Sequence, residues 1–579
     1  MNVRRSRWLL LVLALVLAAG CSTLPVDGDV HSQPDTAAED ANQAPYFAPP
    51  GPETGADRES IVRGFLLATQ ANPPSTSVAR SFLSERAKIV WKPVGTTVYD
   101  GLTLDASNAG VRARLTAAHD LDDRGGWLGG SASRTLTYPY SLVLENGEWR
   151  IDNPPTSLPV PAPYFRSLFV PFTLYFFDRT GTVLVPSRVY LPLGEQVASN
   201  LVRGLLAGPG GTTAAATTSA FPPGAVLDLS VVVNDDGIAE VPLGPRVQRM
   251  SPADLYRAVV QLAWTLRQVP GLTRLRVTVD GTAIPLVNGQ TDVNVDTGSE
   301  YDPVVAPDRD FVALLDGRVV TGDDRSTKPV GGPFGAKGFA LRSVARSVSR
   351  GQVAAVSTSG RRLYVGPDDG SAAPARARTV LQGANLLRPA YDRFGGLWVV
   401  DAARSGAVVH LLDGTRDRVV DVRGITGRRV TSFTVTRDGA SLVAGLSAGP
   451  SPTLVVSSLV RDGDGRLTSA GPGRRIVVES SDRGPVRDVG QDSATTVAIL
   501  TQPATGSGQV LSVELDGSPG VAQPNGPDPV PGQLAALVSS PDPSVPLRVV
   551  TSDGRFLELA GSGEWTKIAS AVTGAAYPQ

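Results

Sequence analysis

Val435-Thr436-Arg437-Asp438-Gly439-Ala440-Ser441-Leu442-Val443-Ala444 decides the fold of the longest part of this chain. An apolar run reaches a polar Arg-Asp-Gly corner and an apolar run returns, which is a strand, a tight turn and a strand. The phrase recurs at residues 348–356, 391–400 and 490–499, and more loosely at 540–550. Its turn residues Arg350, Asp392, Asp438, Asp492 and Asp542 are 42, 46, 54 and 50 residues apart, the period of β-propeller blades. Asp413-Gly414, Asp516-Gly517 and Asp553-Gly554 mark further turns, so each period can supply four strands. Five blades are visible. A sixth, shared between residues 311–320 and the C-terminal end, would close the ring and remove exposed edges; a pair of β-sandwiches is the alternative.

Upstream the texture changes to strands alternating with helices. Residues 173–177 form a strand, Asp178-Arg179-Thr180-Gly181 turns, and Val183 to Pro186 return. A helix follows with Val197, Leu201, Val202, Leu205 and Leu206 on one face, stopped by Gly208-Pro209. A hairpin over Asn234-Asp235-Asp236-Gly237 precedes a second helix, with Ser251 as its N-cap, Pro252 at its first position and a stripe of Leu255, Val259, Leu262 and Leu266. Residues 277–281 are the last strand and turn.

Before this domain, Ile61, Val62, Phe65 and Leu66 recur at helical spacing until Asn72-Pro73-Pro74, and a second helix starts at Ser77 with Val78, Phe82 and Leu83 inward. Short strands are expected at Ile89-Val90-Trp91 and Val98-Tyr99, and a hairpin over Asn146-Gly147 that ends in Glu148-Trp149-Arg150-Ile151. Pro154, Pro155, Pro159, Pro161 and Pro163 read as a stiff linker.

The N-terminus carries Arg4, Arg5 and Arg7, an apolar run from Trp8 to Leu17, and then Ala18-Ala19-Gly20-Cys21. That is a secretory signal, too short to span a bilayer. Small residues before a lone cysteine resemble a lipobox. The resemblance implies signal peptidase recognition at Ala18, Ala19 and Gly20, and a diacylglyceryl thioether plus N-acylation on Cys21, which becomes a membrane-lipid anchor. Residues 22–57 are rich in proline and acid and poor in large apolar side chains, and His31 lies among them. They read as a disordered tether.

The expected divisions are therefore a signal peptide at 1–20, a tether at 21–57, an N-terminal α+β domain at 58–160, a second α+β domain at 161–300 and a β-propeller at 301–579. The fold class is multi-domain, α+β followed by all-β. A single cysteine precludes an intrachain disulfide, and the formal net charge of −1, with no basic block beyond Arg4 to Arg7, argues against nucleic acid.

Four motifs carry residues of catalytic or ligand-binding type. His119-Asp120-Leu121-Asp122-Asp123 is the one titratable cluster of the N-terminal domain, but successive loop residues do not converge as a catalytic pair must, so a solvated turn is expected. Gly208-Pro209-Gly210-Gly211 lacks the Lys-Ser or Lys-Thr of a phosphate loop. Gly445-Leu446-Ser447-Ala448-Gly449 matches a nucleophile elbow, yet Pro450 and Pro452 block the required helix and no histidine follows His410. Asp462-Gly463-Asp464-Gly465 suggests a calcium loop, but Arg466 and Gly473 occupy ligand places. No catalytic, metal or cofactor site is expected.

The phrases LYFFD, LLAGPGG, FPPGAVLDLSVVVNDDGIAEV and VTVDG together resemble the GerMN module of spore-germination and cell-envelope proteins, and the helices-then-sheet order before them resembles NTF2-like domains. Lipobox, tether, NTF2-like domain, GerMN domain and C-terminal propeller, in that order, resemble the actinobacterial LpqB lipoproteins. That resemblance implies an extracytoplasmic, lipid-anchored accessory of the MtrAB two-component system, which contacts the extracytoplasmic domain of the sensor histidine kinase MtrB and affects signalling, cell division and envelope homeostasis. Two other readings stand beside it: a binder of cell-wall glycan or peptide, and a propeller hydrolase using paired carboxylates.

Overall fold

The computed structural model describes residues 46–129, 134–286, 289–305, 308–369, 376–414, 416–447, 449, 451–478, 484–503, 507–519 and 529–578. The expected signal peptide, Cys21 and His31 lie outside the described residues. So does most of the expected tether, but its last part does not fit that expectation. Phe47 pairs with Asn72, Pro49 is buried, and Asp57 Oδ1 accepts the Ser60 N–H at 2.8 Å to cap the first helix, Arg58–Ala68. Residues 46–57 are thus a strap on the N-terminal domain, held by backbone pairing and a cap that apolar content does not reveal.

In that domain Ile61, Val62, Phe65 and Leu66 of the first helix bury against Phe82, Leu83, Trp91, Val111, Ala113 and Ile151. The sheet orders Gly101–Ser107, Gly110–Leu121, Thr96–Tyr99 and Leu158–Pro161, with Arg134–Tyr140 also on Gly110–Leu121. Two expectations are corrected here. Ile89 and Val90 end a helix, Glu85–Val90, and are 78% and 65% exposed. Ser84 caps that helix through Ala87 N at 3.1 Å, and this local bond outweighs the β-branched pair. The hairpin Leu142–Glu145 with Glu148–Ile151 forms over Asn146-Gly147 as expected, yet stands as a separate two-stranded sheet instead of closing the main one.

The proline-rich linker is also a correction. Leu158–Pro161 pairs in parallel with Thr96–Tyr99 at the end of the sheet, where prolines are tolerated because one side of the strand needs no donor, and Ala162–Leu168 is a helix. From that helix the chain enters the second domain without a spacer. Phe169–Asp178 and Leu184–Pro192 pair antiparallel, and Ile238–Pro242 pairs in parallel with Arg274–Val279 through the crossover helix Pro252–Leu266. Ser251 caps that helix as expected, accepting from Asp254 N at 3.1 Å. One core joins both sheets to this helix and to Val197–Leu206 through Phe176, Leu201, Leu205, Val241, Leu262 and Leu275.

The remaining strands form six sheets around a ring. Five begin with Leu341–Ser347, Ala390–Tyr391, Val430–Val435, Val486–Gln491 and Leu534–Val538, each paired to the next strand across one of the repeated turns. The sixth orders Thr327–Pro329, Arg318–Gly322, Phe311–Leu315 and Val572–Ala576, so the last strand of the chain is the inner strand of the first blade. The expected sharing of a blade between the two ends is what the structure has. It leaves no open edge between first and last blades.

Residues 45–579 form one compact unit, in which the turns at Arg393, Asp438 and Ala494 face the α+β domains across a seam. Arg188 pairs with Glu514, Tyr190 Oη donates to Ser518 Oγ at 2.6 Å, and Arg474 Nη1 donates to Trp127 O at 3.1 Å. Val185, Ala216 and Ala440 share a small apolar contact. Trp127, Val160, Phe165 and Tyr190 fill the junction between the first two domains. One rim of the propeller, over its third to fifth blades, is therefore occupied by the chain's own α+β domains.

Candidate binding site in the propeller channel

The inner strands surround a central channel, and its walls follow from the repeat. At the rim away from the seam, where these strands begin, a cavity of about 280 Å3 is lined by Arg342, Ser343, Arg388, Ser432, Arg487 and Asp488, with Leu387, Phe433 and Ala536 as apolar wall. Towards the seam it narrows to about 50 Å3 among Arg346, Tyr391, Arg437, Gln491 and Tyr577.

Charge in this channel is unevenly satisfied. Arg388 is fully engaged: it pairs with Asp488 at 3.0 Å and donates to Leu537 O at 2.7 Å. Burial raises the Asp488 pKa, and Asp488 Oδ2 also accepts from Leu537 N at 2.8 Å. Arg346 is neutralised by Asp308 and Asp368. Arg342, in contrast, donates only to neutral oxygens, Asn385 Oδ1 at 2.8 Å and Leu386 O, and burial lowers its pKa. Arg437 is buried deeper, donates to Pro578 O at 3.3 Å, and is pushed down to about 10 by burial. Its Nε, the Oγ atoms of Ser343 and Ser432 and the Oη of Tyr391 have no hydrogen-bond partner among the described residues. Asp542 lies close enough to Arg437 to oppose that shift, so Arg342 is the channel arginine without a carboxylate beside it among the described residues, and it suits an oxygen-bearing, negatively charged group.

At the same end of the ring the connections between strands carry Arg361, Arg404, Arg428 and Arg429, and the inner strand Val486–Gln491 carries Arg487, all exposed. None has an ion pair or a side-chain hydrogen bond among the described residues. Nearby carboxylates are mostly engaged: Asp401 accepts from Ala384 N and Asn385 N at 2.9 and 2.7 Å, and Asp553 pairs with Arg555. Asp316 and Asp421, both exposed in connections between strands, are the acidic residues set against these arginines among the described residues. The basic surface that the linear sequence lacks is thus assembled by the ring.

The motifs weighed from sequence fall elsewhere. His119 and Asp120 sit on the strand Gly110–Leu121, where the His119 ring lies 4.8 Å from that of Trp127 and Asp120 accepts from Thr97 Oγ1 at 2.8 Å. Asp122 turns the chain by accepting Arg124 N and Gly126 N at 3.0 and 2.8 Å, and pairs with the Arg124 guanidinium. This turn is not solvated as expected. It is wedged between the second domain and the propeller, where a Cβ on Gly210 would come within 2.9 Å of Arg124 Nη1. Gly208 (φ 83°) follows the helix Val197–Leu206 as its stop. Ser447 is exposed after the strand Ser441–Leu446, with residues 448 and 450 outside the described ones. Asp462 closes a hairpin, its Oδ1 accepting Asp464 N and Arg466 N at 3.0 and 2.9 Å. Among the described residues no group of three or more His, Cys, Asp and Glu is placed to hold a metal, and no helix is long and apolar enough to cross a membrane.

Comparison with known proteins agrees with this layout. The family described as Lipoprotein LpqB, N-terminal domain, matches residues 51–166, Sporulation and spore germination matches 173–285, and Lipoprotein LpqB beta-propeller domain matches 317–578. A Lipoprotein LpqB of Cutibacterium acnes is 27% identical over 607 aligned positions, covering all of both chains. Two LpqB family models and a full-length LpqB relative make the chain similar to the LpqB lipoproteins along its length. Lipoprotein LpqB of Mycolicibacterium smegmatis is 27% identical over 82% of this chain and 83% of the relative. Among solved structures, the tandem GerMN domains of the Bacillus subtilis sporulation protein GerM are 18% identical over 26% of this chain and 58% of that one, with a TM-score of 0.19.

The channel residues were missed by motif reading because they fall in short pairs, Arg342-Ser343, Leu387-Arg388, Ser432-Phe433 and Arg487-Asp488, spread over four blades. One signal was available: Arg346, Arg388 and Asp488 each stand four residues before a repeated turn residue, Arg350, Asp392 and Asp492. Aligning the repeats on their turns gathers them on inner strands.

Proposed function

We propose that this chain is an extracytoplasmic lipoprotein, anchored through acylated Cys21, whose folded body binds the extracytoplasmic domain of an MtrB-like sensor histidine kinase and shifts its output without a chemical step. The observation that carries the reading is the asymmetry of the propeller. One rim is spent on the chain's own α+β domains, through Arg188–Glu514 and its neighbours, and the opposite rim is left open and cationic around a cavity. A surface so arranged suits recognition of a partner, and charge of one sign speeds encounter more than it adds raw affinity. Anchoring both proteins in one membrane confines them to a shell a few tens of ångströms deep, which raises effective concentration towards the millimolar range and populates even a weak contact.

The test uses the non-lipidated chain, residues 22–579, and the purified kinase sensor domain. Direct binding in solution and crosslinking of the two in intact cells are expected. Absence of both would reject the kinase as partner, and retention on purified cell wall without the kinase would support the wall-binding alternative instead.

A further inference from the structure

The open mouth combines three features that no single loop supplies. Arg342 is a half-buried cation that meets only neutral acceptors, and an unneutralised cation in that setting gains from an incoming anion. Ser432 is 5% exposed with a buried, unpartnered Oγ in the same wall, and Ser343 Oγ is likewise buried without a partner among the described residues, so a rotation of either hydroxyl side chain would present it to a ligand. Arg487 stands exposed at the lip with no partner among the described residues, flanked by further unpaired arginines on the rim.

The shape selects among anions. About 280 Å3 lies just below the usual range of small-ligand sites, enough for one or two side chains and not for a folded surface. Leu387, Phe433 and Ala536 form part of the wall, so a chain of bare phosphates would leave apolar surface uncovered, whereas a peptide offers carboxylates and aliphatic carbon together.

We propose that the mouth of the channel binds an acidic peptide segment, one carboxylate entering between Arg342, Ser432 and Arg487 and neighbouring acidic residues meeting the rim arginines. The site is a property of this chain whichever protein carries the segment, so it does not depend on the kinase assignment. Arg388 and Asp488 act as positioning residues: their mutual pair and the bonds to Leu537 fix the wall against which the carboxylate lies.

The experiment measures fluorescence anisotropy of a labelled peptide of alternating Glu and Leu on the chain of residues 22–579, in low and physiological salt, with the Gln-for-Glu peptide and poly(glycerol phosphate) as further probes. Saturable binding of the Glu peptide is expected, weakened at least tenfold by Arg487→Glu, and by less than twofold by Lys92→Glu, an equal charge change at an exposed residue of the N-terminal domain. Arg342→Gln should weaken it as strongly; because that variant can disturb folding, Arg429→Glu on the open rim serves as a second surface probe, with a loss of threefold or more. The proposal is overturned by equal losses from Lys92→Glu and Arg487→Glu, by equal binding of the Gln peptide, by no binding, or by Arg487-dependent binding of poly(glycerol phosphate) alone.

Discussion

Arg188 Nη2 lies 2.5 Å from Glu514 Oε1, joining a strand of the second domain to an outer strand of the fifth blade, with side chains 19% and 5% exposed. Burial opposes the arginine's charge, but the hydrogen bond and field of Glu514 outweigh it and leave the Arg188 pKa raised. Glu514→Ala should therefore destabilise the seam by about 3–5 kcal/mol, since it strands a mostly buried cation. Calorimetry should show the single unfolding transition of the parent splitting, with the propeller melting apart from the α+β pair. One unshifted transition would show that the ion pair is not what couples them.

How much of this was legible in the sequence depends on the range of the interactions. The blade hairpins were, because alternation and turns such as Arg437-Asp438-Gly439 act within ten residues, and so was the helix Pro252–Leu266, because Ser251 and Pro252 mark its start locally. The seam was not, since Arg188 and Glu514 are 326 residues apart and neither neighbourhood is unusual. The cationic rim escaped for the same reason: Arg361, Arg404, Arg428-Arg429 and Arg487 lie in four separate parts of the sequence, and the ring alone makes them neighbours. Leu158–Pro161 misled because its prolines signal a linker, while an edge position makes them compatible with a strand.

Burial raises the pKa of Asp438, Asp488, Asp492 and Asp516, all within the propeller. A carboxyl whose folded pKa is raised binds protons more tightly folded than unfolded, so its contribution is present at low pH and is lost as pH rises through the folded value. The melting temperature should therefore rise as pH is lowered from neutrality towards the ordinary carboxylate range, about 4. Asp438→Asn, which keeps an acceptor for Thr436 Oγ1 and Ala440 N, should flatten part of that slope. Parallel melting curves for parent and variant across this window would contradict the assignment.

Closure of the ring rests on its last strand. Tyr577 Oη donates to Pro546 O at 2.7 Å and accepts from Arg548 Nη1 at 2.6 Å, pinning Val572–Ala576 between Phe311–Leu315 and the channel. A chain ending at Ser570 should expose the edge of Phe311–Leu315 and aggregate, as read by light scattering. Tyr577→Phe removes two hydrogen bonds and keeps the ring, and should cost about 1–3 kcal/mol. A truncated chain that stays monomeric with an unchanged melting temperature would mean that the strand is dispensable.

The strap formed by residues 46–57 belongs to the N-terminal domain and not to the expected tether. With Phe47 paired to Asn72 and Gly55 N donating to Glu148 Oε2 at 3.0 Å, proteases in brief exposure should cut before Tyr46 and spare both the strap and residues 154–163, which are largely strand and helix instead of linker. The resistant product should begin near residue 45 and unfold like the uncut chain. In membranes of an expressing host the same cut should release the body, because nothing C-terminal to it is long and apolar enough among the described helices to hold it. Cys21→Ala should have that effect without protease, since stable anchoring takes acyl chains such as those proposed on the Cys21 thiol and amine. If the Cys21→Ala protein stays with the membrane after a salt wash while the protease-trimmed body leaves it, the anchor lies in residues 1–45 but is not the lipid on Cys21.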